Sequence, residues 1–156
     1  VLDVTGRGDT PLISTTALDL LEARGLGETQ LAFALRSMGA WAGKALRKAT
    51  GTPPQTIGVP WSDDLGFALG GVPAVTITLL PGGEADIYRK YVAGAMMADG
   101  GGTVPGWFPS ALPTTWAKLH GAQDDESLLE ESSFDLMERV LDALSDLQLP
   151  RVRRIR

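Results

Sequence analysis

A single histidine, His120, and the absence of cysteine bound the chemistry open to this chain. Disulfides, thiolate metal sites and cysteine nucleophiles are excluded in one step. Any reactive centre is therefore rich in carboxylates or is completed by another chain. His120 lies in the turn-rich stretch from Pro113 to Asp125, with Asp124 four residues after it. A carboxylate at that spacing can fix the imidazole tautomer or shape the loop. A Ser-His-Asp hydrolase built on His120 would lack the G-x-S-x-G elbow. Gly6-Arg7-Gly8 has neither a third glycine nor a G-K-[ST] ending, so it reads as a turn rather than a phosphate loop. Taken alone, a lone histidine ahead of an acidic stretch reads as structural or surface.

The 156 residues suit one domain with a sizeable core: 44% are hydrophobic and 21% charged. The 19 glycines and 10 prolines predict many turns and loops. A net charge of −5 speaks against a general nucleic-acid binder, which needs a basic face for phosphates. The longest uncharged stretch, Leu65 to Gly83, is interrupted by Pro73, Pro81 and several glycines. It reads as a buried helix-turn-strand and not as a membrane span. The chain opens at Val1 inside an apolar segment and shows no signal peptide, which is expected of a piece processed or excised from a longer protein.

The elements that must position these groups alternate between strand and helix. Val1 to Val4 reads as the end of a buried strand, Leu12 to Thr16 as a second short strand, and Ala17 to Arg24 as a short helix. Leu31, Leu35, Met38, Ala42 and Leu46 give Glu28 to Thr50 one apolar helical face. Gly51 suits its C-terminal cap. Thr56 to Val59 reads as a strand, and Ser62 to Leu69 as a helix capped by Ser62 or Asp63. Val72 to Leu80, apolar on both faces, predicts the central strand of a parallel sheet, with Pro73 at its start. Pro81 to Pro113 is a glycine- and proline-rich stretch with a short helix around Ile87 to Met97. Ser132 to Leu147 is the second long helix, with Phe134, Met137, Leu141 and Leu144 as its stripe and Ser132 with Asp135 as a weak capping box. Arg151 to Arg156 is a basic tail.

The pattern predicts an α/β fold, a layered mixed or parallel sheet flanked by helices. Its site is expected outside the strand ends, where Asp3, Asp9, Ser62 and Asp63 fall. Residues 1–149 form the domain, and 150–156 the tail.

Read together, these pieces resemble a known family. Trp61-Ser62-Asp63-Asp64-Leu65-Gly66-Phe67 followed by Gly71-Val72-Pro73-Ala74-Val75-Thr76 is similar to a two-part motif of the di-zinc exopeptidases, an S-D-H-x-x-F helix and then G-[IV]-P-A on a core strand. These enzymes are the aminopeptidases of metallopeptidase family twenty-eight, which also holds glutamate carboxypeptidase-like members. Leu2-Asp3-Val4-Thr5-Gly6 resembles the family's D-M-x-G strand end, and His120 with Asp124 its H-T-x-x-D loop. The order of motifs is kept, over the C-terminal half of a family catalytic domain.

The resemblance implies that Asp3 is a ligand of one zinc ion and His120 of the other. Ser62, Asp63 and Asp124 would border or shape the site. The remaining ligands, an H-x-D pair and a Glu-Glu pair holding the general base, would lie upstream, so no catalytic residue is expected in this chain. The family departures are Asp64 in place of histidine and Gly121 in place of threonine.

The function implied is zinc-dependent hydrolysis of a peptide substrate, completed by the N-terminal half of a parent protein or by a second subunit. Nucleic acid and a membrane span are not expected. The alternative is a non-catalytic half-domain kept for binding or assembly. Trp61, Phe67, Trp107, Phe108 and Trp116 are candidates for an apolar specificity pocket or for core packing.

Overall fold

The computed structural model describes residues 1–2, 6–58, 63–99, 114–118 and 125–150. It contains β1 (Thr10–Ser14), α1 (Thr16–Ala23), α2 (Gln30–Thr50), β2 (Gln55–Ile57), α3 (Asp63–Leu69), β3 (Ile77–Leu80), α4 (Gly82–Asp99), α5 (Thr114–Lys118), a short 3-10 turn (Glu126–Leu128) and α6 (Glu131–Asp146). The strands form a mixed sheet in the order β2-β1-β3. β1 pairs parallel with β2 and antiparallel with β3. Beyond β3, Leu2 makes a parallel bridge to Ile77, whose N–H donates to the Val1 carbonyl at 2.9 Å.

The expected α/β layering is present. The centre of the three-stranded sheet is β1, however, and not the apolar run Val72–Leu80. Only the end of that run is strand, because Pro73 has no N–H to give a ladder and the chain enters from a left-handed turn at Gly71 (φ 76°). Its pairing with β1 is antiparallel, where a parallel neighbour was expected. Its apolar residues are still buried on two sides. Ile77 and Leu79 join Ile13 on one face, and Leu80 joins Leu12 and Ile57 on the other.

Helix α2 forms where its sequence signals lie. Thr29 Oγ1 accepts from the Ala32 N–H at 3.3 Å, and Gly51 ends the helix in the left-handed region with its N–H on the Arg47 carbonyl. Pro53 and Pro54 prevent continuation. Its Ala42 and Leu46 pack with Leu136, Met137 and Val140 of α6 against Ile13, Ile77 and Leu79. Both long helices therefore cover the same face, where they were expected to flank the strand. The opposite face is covered by α4 through Ala85 and Tyr88. That helix begins directly after Pro81, whose carbonyl accepts the Glu84 and Ala85 N–H groups. It contains the short helix expected around Ile87 to Met97 but starts earlier, at Gly82, because the glycines at 82 and 83 hid its first turn.

The buried stripe of α6 is Ser133, Leu136, Met137, Val140 and Ala143. Phe134 and Leu141, expected inside, are 50% and 49% exposed. Ser133 faces inward because its hydroxyl donates to the Gly8 carbonyl at 3.0 Å, which leaves Phe134 on the outer side. The capping box is also displaced. Glu130 occupies the cap position without a side-chain cap bond, because its carboxylate is used elsewhere. A third cluster ties α1, α2 and α3 together through Ala17, Leu35 and Ala68. Among the described residues no helix is long and apolar enough to cross a membrane.

This register sets the order of two truncations. Leu136→Ala removes a side chain only 6% exposed and should cost about 2–5 kcal/mol. Leu141→Ala, at the same helix but half exposed, should stay below about 1 kcal/mol. Urea denaturation of both variants checks the ranking, and the reverse order would restore the Phe134–Leu141 stripe.

Candidate functional site

The loop after the Asp3 segment is held by a polar knot. Gly8 adopts φ 101° and lies against the end of β3, where an added Cβ would meet the Leu80 carbonyl carbon at 2.1 Å. Only glycine fits there. The preceding residue, Arg7, sends its guanidinium into three segments. Its Nε donates to Glu130 Oε1 at 3.2 Å, and its Nη1 donates to Thr115 Oγ1 at 3.2 Å and lies 3.4 Å from Glu84 Oε1.

The acceptors are themselves fixed. Glu130 Oε2 accepts from the Gly8 N–H at 3.2 Å, and Glu84 Oε2 from the Thr115 N–H at 2.8 Å. The Glu130 N–H donates to the Gly6 carbonyl at 2.9 Å, and Ser133 Oγ to the Gly8 carbonyl at 3.0 Å. Arg7 and Glu84 are mostly buried, with side chains 25% and 13% exposed. Two carboxylates on one planar guanidinium is the arrangement in which its fork of donors is best used.

The second polar cluster sits at the other end of β3. Asp64, 1% exposed on α3, accepts from Thr76 Oγ1 at 3.0 Å. Thr76 also accepts the Ser14 N–H on its carbonyl, at the carboxyl end of β1. Ser14 Oγ and Thr16 Oγ1 are 3.1 Å apart, and Thr15 Oγ1 donates to Asp19 Oδ2 at 2.9 Å. Burial pushes the Asp19 carboxyl above its usual range; the Thr15 hydroxyl opposes this, and the charges of Glu22 and Asp64 add to it. Asp125 is shifted the opposite way, its carboxyl lowered by hydrogen bonds from the Ser127 side chain and N–H. The stretch from Thr76 to Leu80 separates the two clusters by about 13 Å.

Of the expected site residues, Asp3, Ser62, His120 and Asp124 lie outside the described residues. Asp63 is described: it is exposed in the first turn of α3, at the Asp64 end. Leu2, next to Asp3, pairs with Ile77 at the start of β3, whereas the chain three to five residues beyond Asp3 meets residues on either side of the 119–124 segment. Gly6, Arg7 and Gly8 contact Thr115 on one side of that segment and Glu130 on the other. Asp63 therefore stands at the end of the sheet opposite this junction. Of the proposed pocket aromatics, Phe67 is 51% exposed on α3, and the side chains of Trp61, Trp107, Phe108 and Trp116 fall outside the described set.

Sequence reasoning missed Arg7, Glu84 and Glu130. The signal available was a lone arginine between two glycines, which a turn assignment absorbed. Asp64 was read as a departure from a motif, whereas it is a buried anchor of α3 to the sheet. Among the described residues no group of three or more His, Asp or Glu side chains is placed to hold a metal ion. Comparison of the chain with family models, curated proteins and solved structures gives no match in any of the three.

Two variants, compared by urea denaturation, probe the Arg7 cluster. Arg7→Ala strands Glu84 and should cost about 1.5–3 kcal/mol, the worth of hydrogen bonds to charged groups. Arg7→Lys should recover only part, because an ammonium cannot serve three acceptors in one plane.

Asp19 tests the other end through pH. Its raised folded pKa means that its contribution to stability is present below the ordinary value of 3.8 and is lost as pH rises through the folded value. Asp19→Asn should therefore gain stability relative to the parent as pH climbs from below 3.8 to neutral. Paired denaturation curves showing a constant difference across that window would contradict the assignment.

Proposed function

We propose that residues 1–149 are the C-terminal half of a zinc-dependent exopeptidase domain, a hydrolase acting on peptides. In this reading Asp3 and His120 are each a ligand to one ion of a zinc pair. The observation that supports it most is the Arg7 knot. It ties the chain just beyond Asp3 to the helix before His120 and to the residues after Asp124. A two-ion centre needs its ligands on neighbouring loops, with the ions about 3.5–4 Å apart. The junction of Gly6–Gly8 with Thr115 and Glu130, three to five residues beyond Asp3, five before His120 and six after Asp124, supports this reading.

The donor set tests the fit. Catalytic zinc is held by three protein ligands, and this chain offers one imidazole and no thiolate. Asp3 and His120 are of the right types but are too few, so the remaining ligands and the general base belong to residues outside this chain. When bound, paired zinc ions polarise the scissile carbonyl and acidify a water. The part of this chain is to supply an anionic and a neutral donor, and to hold their loops in register. Asp124 would orient the His120 imidazole, as carboxylates do beside metal-bound histidines. Asp63, at the opposite end of β3 from the knot, is left with a role in shaping α3, and Ser62 is proposed to share it.

A second reading, a half-domain kept for binding or assembly, is favoured by Asp64. It stands where the family has histidine and is committed to Thr76 inside the fold. Its partner would be the N-terminal half of the parent or a second subunit.

Zinc calorimetry on the 156-residue chain and peptidase assay of the longer parent separate these readings. The chain alone should bind zinc far more weakly than the roughly 10–16 kcal/mol of a complete structural site. In the parent, His120→Ala should abolish zinc-dependent peptidase activity while leaving the melting temperature within about 2 °C, because a loop ligand adds little to the core. Undiminished activity in that variant would remove His120 from the site. A parent with no zinc-dependent activity would favour the assembly module.

A further inference from the structure

A cavity of about 300 Å³ opens at the carboxyl end of β1, away from the Arg7 knot. Ala17 and Leu18 of α1, Leu35 and Ala40 of α2, and Ala74 and Val75 ahead of β3 form its apolar walls. Its volume is at the lower end of the range for small-molecule sites. The carboxyl ends of strands are also where open α/β sheets place such sites.

The polar side chains around the cavity decide the class of occupant. Ser14 and Asp64 are only 3% and 1% exposed, and both are engaged inside the fold. Ser14 Oγ lies 3.1 Å from Thr16 Oγ1, and Asp64 Oδ1 accepts from Thr76 Oγ1 at 3.0 Å. Thr15 Oγ1 donates to Asp19 Oδ2. The Arg36 guanidinium is held by Glu22 Oε1 at 2.7 Å and by the Gly27 carbonyl at 2.8 Å. The backbone at the sheet end is committed as well, the Ser14 N–H to the Thr76 carbonyl and the Thr15 N–H to the Ile57 carbonyl. Thr56, the remaining polar side chain on the wall, is exposed to solvent. A charged ligand entering here would give up its water and find no free partner on the buried walls. An apolar body displaces water from the same walls without that cost.

Gly39, in the middle of α2, also borders the cavity. A Cβ built there meets nothing within 4 Å, so close packing does not require glycine at this position. Glycine in a helix interior is less favourable than alanine, and here it leaves the space beside α2 unfilled. Protein interiors are otherwise close-packed, and apolar cavities of this kind take up hydrocarbons.

We propose that this cavity binds a small neutral apolar molecule, of the size of a substituted benzene, with its body against Leu18, Leu35 and Val75. The site is separate from the zinc reading and does not depend on it.

The test is a titration of the full chain with ethylbenzene, followed by amide NMR shifts, beside a parallel titration with benzylamine, in which an ammonium replaces the terminal methyl group. Ethylbenzene should shift the Leu18, Leu35 and Val75 amides saturably below its solubility limit, with an affinity at least tenfold above that of benzylamine. Gly39→Phe should occupy the space and weaken ethylbenzene binding at least tenfold, whereas Gly39→Ala should retain it. Should Gly39→Phe fail to fold, Ala40→Trp, at an exposed position on the same wall, serves as the blocking variant. Absence of saturable shifts at these amides, equal or tighter binding of benzylamine, or full binding by a folded blocking variant would each overturn the proposal.

Discussion

One guanidinium holds the carboxyl end of β3 together. Arg7 reaches Glu84 at the start of α4, Thr115 on α5 and Glu130 ahead of α6, segments far apart in sequence. Each of these contacts would be of little value on an open surface. Here the partners are partly buried, and each carboxylate takes a second bond from a backbone N–H, so the groups satisfy one another. The result is that α4 and α6, which cover opposite faces of the sheet, are pinned to the same loop. Ser133 adds a buried bond to the Gly8 carbonyl, and the close approach of Gly8 to Leu80 leaves that loop little room to move.

The opposite end of the sheet is organised by hydroxyls and carboxyls. Asp64 anchors α3 through Thr76, Thr15 holds Asp19 on α1, and apolar contacts among Ala17, Leu35 and Ala68 close the layer. The molecule is thus polar at both strand ends but in different ways. One end is a compensated ion network, and the other is acidic beside an apolar cavity.

Much of the fold was legible in the sequence. Helix α2 announced itself through the face of Leu31, Leu35, Met38, Ala42 and Leu46 and through Gly51, because capping and periodicity are local properties; its N-cap, Thr29, was missed. The same locality made α1, α3 and the turn at Gly71 readable. Pairing is not local. Nothing in Thr10–Ser14 says that it is the central strand, or that its neighbour in Ile77–Leu80 runs antiparallel. The rotation of α6 was missed because Phe134 and Leu141 outweigh Ser133 and Ala143 in hydrophobicity, whereas the bond of Ser133 to the Gly8 carbonyl joins distant segments. Around the candidate site, the residue types were readable and their partners were not. Arg7 looked like part of a turn because its three acceptors sit 77 to 123 positions away, at Glu84, Thr115 and Glu130.

The proposal that Asp3 and His120 are zinc ligands requires the segments next to Arg7 and Thr115 to share one end of the sheet, away from Asp63. The most direct measurement is paramagnetic NMR of the full chain with excess Co²⁺, which needs only weak occupancy to be read. The account predicts joint perturbation of the Gly6 and Lys118 amides, much weaker effects at Asp63 and Asp64, and loss of the joint pattern in Arg7→Ala. Perturbation confined to one of the two loops, or centred on Asp63, would contradict it.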